Sequence, residues 1–219
     1  MCNLVKTKHI GITYGGKLKM PLGLNQFPDN FFKSRGLLTY SDSSWGRSPR
    51  PFGGYTVMRL NAALFWKALK LKIVPDSTCE AETAVGSKAA KATAAARITL
   101  TALHRSVYGS TMVLIDNKAM HDVITKPGQT ARTNHFERAT MVIKWLFMHL
   151  VVKTYVILTK YMVADIFTKA LPPETFLRLR DRLMNIKPTT TVQDSDGNKV
   201  TLHGKAVRLW AKLIDAARM

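Results

Sequence analysis

Three short, strand-like runs of mainly apolar residues lie between residues 36 and 75, and they predict three β-strands. The runs cover residues 37–42, 54–60 and 63–73. A polar, basic turn separates the first two runs, and Asn61 with Ala62 forms a tight connection between the second and third. Because consecutive strands joined by short connections pair as antiparallel neighbours, this part of the chain is predicted to be an antiparallel meander.

The pattern becomes helical after these strands. An alanine-rich stretch from 77 to about 103 contains no proline and one internal glycine, so it predicts a long helix. The run 111–115 is short, apolar and β-branched, which is typical of a buried central strand. Beyond it the pattern predicts three more helices, a strand, and a short turn or helix around Asp165. The helices are at 117–124, 133–149 and 172–186, the strand is at 151–158 and the turn is at 162–169.

The elements therefore follow the order three strands, helix, strand, two helices, strand, helix. Antiparallel strands followed by helical crossovers imply an α/β domain, with a mixed sheet and helices on its faces. We expect this domain at residues 36–186. The basic, turn-rich residues 1–35, with a possible short strand at 9–14, are expected to form a connection segment. Residues 187–219 are expected to be a linker followed by an amphipathic C-terminal helix.

The charge of the chain indicates which class of partner it binds. The chain has 219 residues, of which 33 are Lys or Arg and 14 are Asp or Glu, so its formal charge is +19. Hydrophobic residues make up 46% of the chain, which is a globular rather than a disordered composition. Such a basic globular protein is predicted to bind a polyanion, with nucleic acid as the first candidate and an anionic membrane as the second.

The cysteines and the apolar runs favour an intracellular protein. The two cysteines, Cys2 and Cys79, cannot make a disulfide framework, and no His/Cys cluster has the spacing of a zinc site. No run of about 18 apolar residues predicts a membrane span, and the N-terminus lacks the apolar core of a secretion signal. We therefore expect an intracellular protein that is not secreted and has no membrane partner.

Four of the scarce acids, Asp42, Glu82, Asp116 and Asp165, lie at the ends of predicted elements, where a sheet would bring them together. Four converging carboxylates cannot all stay ionised without a cation, and Mg²⁺ or Mn²⁺ prefers such oxygen ligands. Two such ions would support in-line phosphodiester hydrolysis. The alternative is that the acids are surface or capping residues, since Asp42 and Asp116 could each cap the turn or helix that follows.

The long helix offers two acids, Glu80 and Glu82, which cannot both face one site. Residues two apart on a helix point about 200° apart. Val85 and Ala89 lie three and seven residues after Glu82, on the same side of the helix. This apolar side should face the core, so we select Glu82 as the ligand and expect Glu80 near solvent.

Five segments resemble, in the same order, the motifs of the ribonuclease H domain in copia-type retrotransposon polyproteins. The similar segments are 40–46 (YSDSSWG), 78–83 (TCEAET), 115–119 (IDNKA), 132–137 (RTNHFE) and 164–171 (ADIFTKAL). The corresponding family motifs are YSDADWAG, STEAEY, CDNQSA, RTKHIDI and ADIFTKPL. Residues 9–16 are also similar to the family's connection between the polymerase and ribonuclease H parts. The resemblance spans about residues 36–186.

The resemblance implies the ribonuclease H fold, which has a five-stranded mixed sheet of three antiparallel strands followed by two parallel ones. It implies an endonuclease that uses two Mg²⁺ ions to hydrolyse the RNA strand of an RNA–DNA hybrid. Position by position, the implied catalytic and metal-binding residues are Asp42, Glu82, Asp116 and Asp165. The implied partners are the hybrid and the reverse transcriptase portion of the same polyprotein, with residues 1–35 as a remnant of the linker between them.

Several positions depart from the family motifs. Ser44 stands where a second acid is usual, Thr83 replaces an aromatic residue, and Ala170 replaces a proline. Phe136 and Glu137 replace Ile and Asp. None of these changes removes a ligand, but together they suggest a divergent copy. The alternative function is therefore a catalytically inactive, basic nucleic-acid-binding module derived from the same domain.

Basic and polar residues near the four acids are candidates for contacts with nucleic acid, because phosphate binding needs only positive charge or donors near the duplex. The candidates are Arg47, Arg50, Asn117, Arg132, His135 and Lys144. The alternative for these residues is an ordinary solvated basic surface, and for His135 an exposed or capping histidine.

Overall fold

The computed structural model describes residues 11–28, 31–45, 50–126, 136–186, 189–193 and 199–203. Seven strands and four helices are assigned in these ranges. The strands are β1 (Leu38–Ser44), β2 (Phe52–Arg59), β3 (Ala62–Lys70), β4 (Thr111–Ile115), β5 (Val152–Val156), β6 (Thr189–Gln193) and β7 (Lys199–His203). The helices are α1 (Thr78–Ala102), α2 (Lys118–Thr125), α3 (Glu137–Met148) and α4 (Pro173–Met184). Two short 3-10 turns, Thr159–Tyr161 and Val163–Phe167, precede α4.

Five strands form one mixed sheet in the order β3-β2-β1-β4-β5. β1 pairs antiparallel with β2, and β2 pairs antiparallel with β3. β1 and β4 are parallel, with Tyr40 opposite Leu114, and β4 and β5 are also parallel. The expected five-stranded sheet of three antiparallel and two parallel strands is therefore confirmed.

The two faces of this sheet are covered by different elements, because successive side chains of a strand point to opposite sides. On one face, Leu38 and Tyr40 of β1 pack with Leu183 of α4 and Met162 beside the 3-10 turns. On the other face, α1, α2 and α3 cover the sheet, and Thr39 of β1 shares a buried hydroxyl–hydroxyl hydrogen bond of 2.7 Å with Thr93 of α1. β1 is buried along its whole length as a result.

Two adjacent glycines of β2 let elements approach the sheet closely on both faces. A Cβ added at Gly53 would lie 2.4 Å from Cγ2 of Val85 in α1, and one added at Gly54 would lie 2.5 Å from Cβ of Phe167. Both distances are far below van der Waals contact. Gly54 is also the residue paired with Asp42 on β1. The missing side chains thus bring α1 and the Val163–Phe167 turn close to the strand that carries Asp42.

Residues 11–28 lie on the sheet domain and not in a strand of their own. The Thr13 amide donates to the Met184 carbonyl at 3.0 Å, and the Asn61 side-chain amide donates to the Gly15 carbonyl at 3.0 Å. The strand expected at 9–14 is therefore wrong for residues 11–14, because their backbone bonds go to single groups at a helix end and not to a strand ladder. Residues 9 and 10 lie outside the described residues.

The linker expected after residue 187 is also partly wrong. β6 and β7 pair as an antiparallel two-stranded sheet, with Thr189 opposite His203. Threonine is β-branched and favours extended backbone, which explains why the threonine run at 189–191 forms a strand. The amphipathic helix expected near the C-terminus lies outside the described residues. Within the described ranges, no helix is both long and apolar enough to cross a membrane.

We predict that Gly54→Ala destabilises the protein by about 1–3 kcal/mol, as overpacked sites do. The added methyl group would force the Val163–Phe167 turn away from β2, since Cβ of Phe167 is tied to its backbone and cannot rotate away. The change in the free energy of unfolding is measured by urea denaturation. Gly11→Ala is the matched control, because a Cβ at Gly11 meets nothing within 4 Å. If the two variants were equally stable, the close approach of the Val163–Phe167 turn to Gly54 would be contradicted.

Candidate metal centre

Three carboxylates from distant parts of the chain meet at one end of the sheet. Asp42 lies near the end of β1, and Asp116 directly follows β4. Because β1 and β4 are parallel neighbours, their carboxyl ends lie side by side. Glu82 reaches the same place from the first turns of α1. Each residue offers one carboxylate oxygen, and these three oxygens lie within 4.8 Å of one another.

Burial and hydrogen bonds hold the three carboxylates in place. Asp42 and Glu82 are 1% and 5% exposed, and Asp116 is half-buried. Oδ2 of Asp42 accepts a short hydrogen bond from the Thr168 hydroxyl. Oε1 of Glu82 accepts from the Ser43 amide at 3.1 Å, and Oδ2 of Asp116 accepts from the Thr159 hydroxyl at 2.9 Å.

One oxygen of this group has no partner. Oε2 of Glu82 is buried, and no donor within the described part of the chain makes a hydrogen bond to it. A buried, unsatisfied carboxylate oxygen is unfavourable unless a cation or a proton compensates it. It lies beside two further carboxylates that would repel its negative charge. The site therefore has the ligand chemistry and the unmet need for positive charge that a divalent cation supplies.

The same environment raises the pKa of the two most buried acids. Burial, together with the neighbouring carboxylates of Asp42 and Asp116, raises the pKa of Glu82 to about 9. Burial raises the pKa of Asp42 to about 7, although the Lys169 ammonium and the Thr168 hydroxyl oppose this shift. In the absence of a cation, the centre favours bound protons at neutral pH.

The fourth expected acid, Asp165, lies outside the group of three. It is 7% exposed, within the Val163–Phe167 turn. Its Oδ1 accepts from Nζ of Lys169 at 2.8 Å, and the same Nζ lies 3.3 Å from Oδ1 of Asp42. An ammonium group therefore stands between Asp42 and Asp165. Sequence reasoning did not single out Lys169, although it belongs to the motif at 164–171 and lies four residues after Asp165.

Glu80 corrects one expectation. The sequence argument placed it near solvent, but the residue is only 7% exposed. Its Oε2 accepts from the Asp76 amide at 2.8 Å, while the Ser77 hydroxyl accepts from the Glu80 amide at 3.1 Å. This reciprocal arrangement resembles a capping box. The sequence argument compared only the two faces of the helix and did not consider capping. The capping contacts turn the Glu80 side chain back over the start of α1.

The expected nucleic-acid contacts are only partly described. Asn117 is the N-cap of α2, where its side-chain oxygen accepts from the Met120 amide at 3.0 Å. Arg50 is exposed before β2, and Lys144 is half-buried on α3. Arg47, Arg132 and His135 lie outside the described residues.

A basic groove lies beside α1, on the side of the helix that carries Glu80. It is a cavity of about 1090 Å³ between β3, α1 and the start of α3. We call it the basic groove because six of its lining residues are cationic, namely Lys67, Lys70, Lys72, Lys88, Lys91 and Arg138. The first turns of α1 contribute Glu80 to this groove and Glu82 to the metal centre. Because these two residues point to different sides of the helix, the groove and the metal centre share α1, and none of the three carboxylates lines the groove.

Solved structures similar to this chain include three ribonucleases H. Ribonuclease H1 from the halophilic archaeon Halobacterium salinarum NRC-1 has a TM-score of 0.47 and 12% identity, with 65% of this chain and 97% of that chain covered. The N-terminal RNase H domain of rv2228c from Mycobacterium tuberculosis has a TM-score of 0.46 and 10% identity, over 66% and 96% of the two chains. LC11-RNase H1, solved in complex with an RNA/DNA hybrid, has a TM-score of 0.44 and 13% identity, over 60% and 93%. No known family model and no curated protein matches the chain.

We predict that the metal-free protein becomes less stable as the pH rises from about 5 to about 9. The folded-state pKa values of Asp42, about 7, and Glu82, about 9, lie above the ordinary values of 3.8 and 4.5. The folded chain therefore binds more protons than the unfolded chain in this range, and this stabilisation is lost as the pH passes 7 and then 9. The loss is at most about 1.4 kcal/mol per pH unit for each group.

Thermal unfolding followed by circular dichroism, in a chelator and in Mg²⁺, measures this dependence. Magnesium should flatten the decline, since it compensates the deprotonated carboxylates. Glu82→Gln, which stays neutral at every pH, should remove the decline between about pH 7 and pH 9, where Glu82 is the main contributor. A melting temperature that stays constant in chelator from pH 5 to pH 9 would show that these carboxyls do not retain their protons.

Proposed function

We propose that this chain is a metal-dependent endonuclease of the ribonuclease H type, which hydrolyses the RNA strand of RNA–DNA hybrids. The observation that carries the proposal is the meeting of three carboxylates, Asp42, Glu82 and Asp116, with one buried oxygen left without a donor among the described residues. The motif order places the same three residues, with Asp165, at the family's acidic positions. We further propose that the chain derives from a copia-like retrotransposon polyprotein, acts in an intracellular particle or the nucleus, and works beside the reverse transcriptase portion.

The donor set fits Mg²⁺ or Mn²⁺. All three candidate ligands are carboxylate oxygens, which are the hard ligands that these ions prefer, and no sulfur or imidazole joins the group within the described residues. When bound, such an ion lowers the pKa of a water molecule and stabilises negative charge on phosphate oxygens.

The chain's own residues orient the ligands. The Thr168 hydroxyl directs Oδ2 of Asp42, the Ser43 amide directs Oε1 of Glu82, and the Thr159 hydroxyl directs Oδ2 of Asp116. Ligands held by such second contacts need little rearrangement on binding. Two metal ions, the number expected from four carboxylates, would require a second position that uses Asp165 and Asp42. In this structure the Lys169 ammonium lies between those two residues.

The basic groove supports a nucleic-acid substrate. Its six cations line one cavity beside α1, so the sugar–phosphate backbone of a duplex is the ligand that matches its charge. We propose that the hybrid is recognised by backbone charge, groove shape and 2′-hydroxyl groups, and not by base sequence. Lys67 and Lys70 lie on β3, Lys72 lies just after it, and Arg138 lies in the first turn of α3, so the duplex would contact both edges of the groove.

One observation favours the second candidate function, a catalytically inactive nucleic-acid-binding module. Lys169 already neutralises part of the charge of Asp42 and Asp165, and the basic groove is independent of any metal ion. A protein with this surface would bind nucleic acid without turnover. Incubating a labelled RNA–DNA hybrid with the protein, with and without Mg²⁺, separates the two functions. Products that require Mg²⁺ support the nuclease, whereas salt-sensitive binding without products supports the module.

We predict that Asp116→Asn lowers Mg²⁺-dependent cleavage of the hybrid by at least about 100-fold, because a lost metal ligand removes several kcal/mol of transition-state stabilisation. Folding should persist, since Asp116 is half-buried and an amide can still accept from the Thr159 hydroxyl. Initial cleavage rates and far-UV circular dichroism are the measurements. Asp122→Asn is the control, because Asp122 is a surface acid paired with Lys126. Cleavage at the wild-type rate by Asp116→Asn would remove this residue from the mechanism.

We predict that replacing Lys88 and Lys91 with glutamine weakens binding to the hybrid and lowers the salt dependence of the binding constant. Both lysines are exposed on α1 and line the basic groove. Each lost phosphate contact reduces the slope of log K against log salt by about 0.9. Fluorescence anisotropy over a salt series measures this slope. Lys126→Gln is the control on another helix end, and an equal change in that variant would show that net charge alone determines affinity.

A further inference from the structure

The ammonium group of Lys169 contacts both Asp42 and Asp165, which the nuclease hypothesis treats as metal ligands. Its Nζ lies 2.8 Å from Oδ1 of Asp165 and 3.3 Å from Oδ1 of Asp42. The lysine side chain is 26% exposed, while those of Asp42 and Asp165 are 1% and 9% exposed. The ammonium group therefore enters a largely desolvated pocket, where an ion pair is far stronger than at the surface.

The backbone holds Lys169 in this position. The Thr168 and Lys169 amides both donate to the Asp165 carbonyl, at 3.1 and 3.0 Å, and so close one tight turn. This turn directs two donors to Asp42, the Thr168 hydroxyl to Oδ2 and the Lys169 ammonium to Oδ1. The contact between Lys169 and Asp42 therefore depends on the backbone turn at residues 165–169.

Charge balance limits what else the pocket can hold. Four carboxylates carry four negative charges, and two divalent ions would neutralise them completely. If the ammonium stayed in place, the same two ions would leave one net positive charge inside a buried site. One divalent ion together with the ammonium leaves one negative charge, and the half-buried Asp116 keeps part of the site in contact with water.

We propose that Lys169 is a built-in cation that occupies the position between Asp42 and Asp165. The chain then binds one divalent ion tightly at Asp42, Glu82 and Asp116, and a second ion only by displacing the ammonium. This inference rests on the metal site of the proposed function, but it concerns the number of ions and not the rate of cleavage. Lys169 is thus a positioning residue for the acidic site.

Counting bound Mn²⁺ tests the inference without any substrate. The free ion is titrated against the full chain and followed by electron paramagnetic resonance, and the heat of binding is measured in parallel. Wild-type protein should bind one ion tightly. Lys169→Met, which keeps most of the side-chain volume and removes the charge, should bind two, with the second at least about tenfold tighter than in the wild type. Lys169→Arg, which keeps the charge, should bind one.

Lys126→Met is the matched control, because it removes one positive charge from a lysine that is 70% exposed and paired only on the surface with Asp122. It should bind one ion, as the wild type does. If Lys169→Met does not fold, Lys169→Gln, which also removes the charge, is counted in its place.

Two equally tight ions in the wild type, or one ion in folded Lys169→Met, would overturn the role of Lys169 and leave the nuclease proposal intact. No bound Mn²⁺ in any variant would overturn the metal site itself, and with it both proposals. One ion in the wild type and two in folded Lys169→Met, together with absence of hybrid cleavage, would support Lys169 and count against the nuclease.

Discussion

Repulsion among buried carboxylates is the constraint on which this structure depends. Asp42 and Glu82 are almost completely removed from water, with Asp116 beside them. Burial and mutual repulsion raise the pKa values of the first two, so the site is stable only with protons or with positive charge. Lys169 supplies part of that charge from within the chain. The unpartnered oxygen of Glu82 indicates where external charge is needed.

The sheet creates this constraint through its topology. Two parallel strands, β1 and β4, end next to each other and present Asp42 and Asp116 together. Helix α1 approaches from one face because Gly53 leaves room for Val85, and the turn carrying Asp165 approaches from the other because Gly54 leaves room for Phe167. Small residues on β2 are therefore as important to the site as the acids, although they contact no ligand.

The basic residues of the groove and the acidic residues of the metal centre lie in two separate regions of the protein. The chain carries a formal charge of +19, yet the candidate metal centre is a concentration of its few acids. Six cations lie in the basic groove between β3, α1 and α3, and none of the three carboxylates of the metal centre lines this groove. A polyanion is attracted by the first region, and a cation at the second would offset the repulsion between its phosphates and the carboxylates.

The sequence by itself determined the order and type of the main elements, because periodicity, glycine and capping signals act over a few residues of chain. It also singled out the four acids, through their positions at element ends and through the motif order. The spacing of Ser77 and Glu80 also carries a local capping signal, which the comparison of helix faces overlooked. Only the tertiary structure decided that residues 11–14 bind a helix end. It alone decided that Lys169 stands between Asp42 and Asp165, since the lysine contacts an aspartate 127 residues away. Such contacts depend on how β2, α1 and the last turn pack in space, and no local pattern encodes that distance.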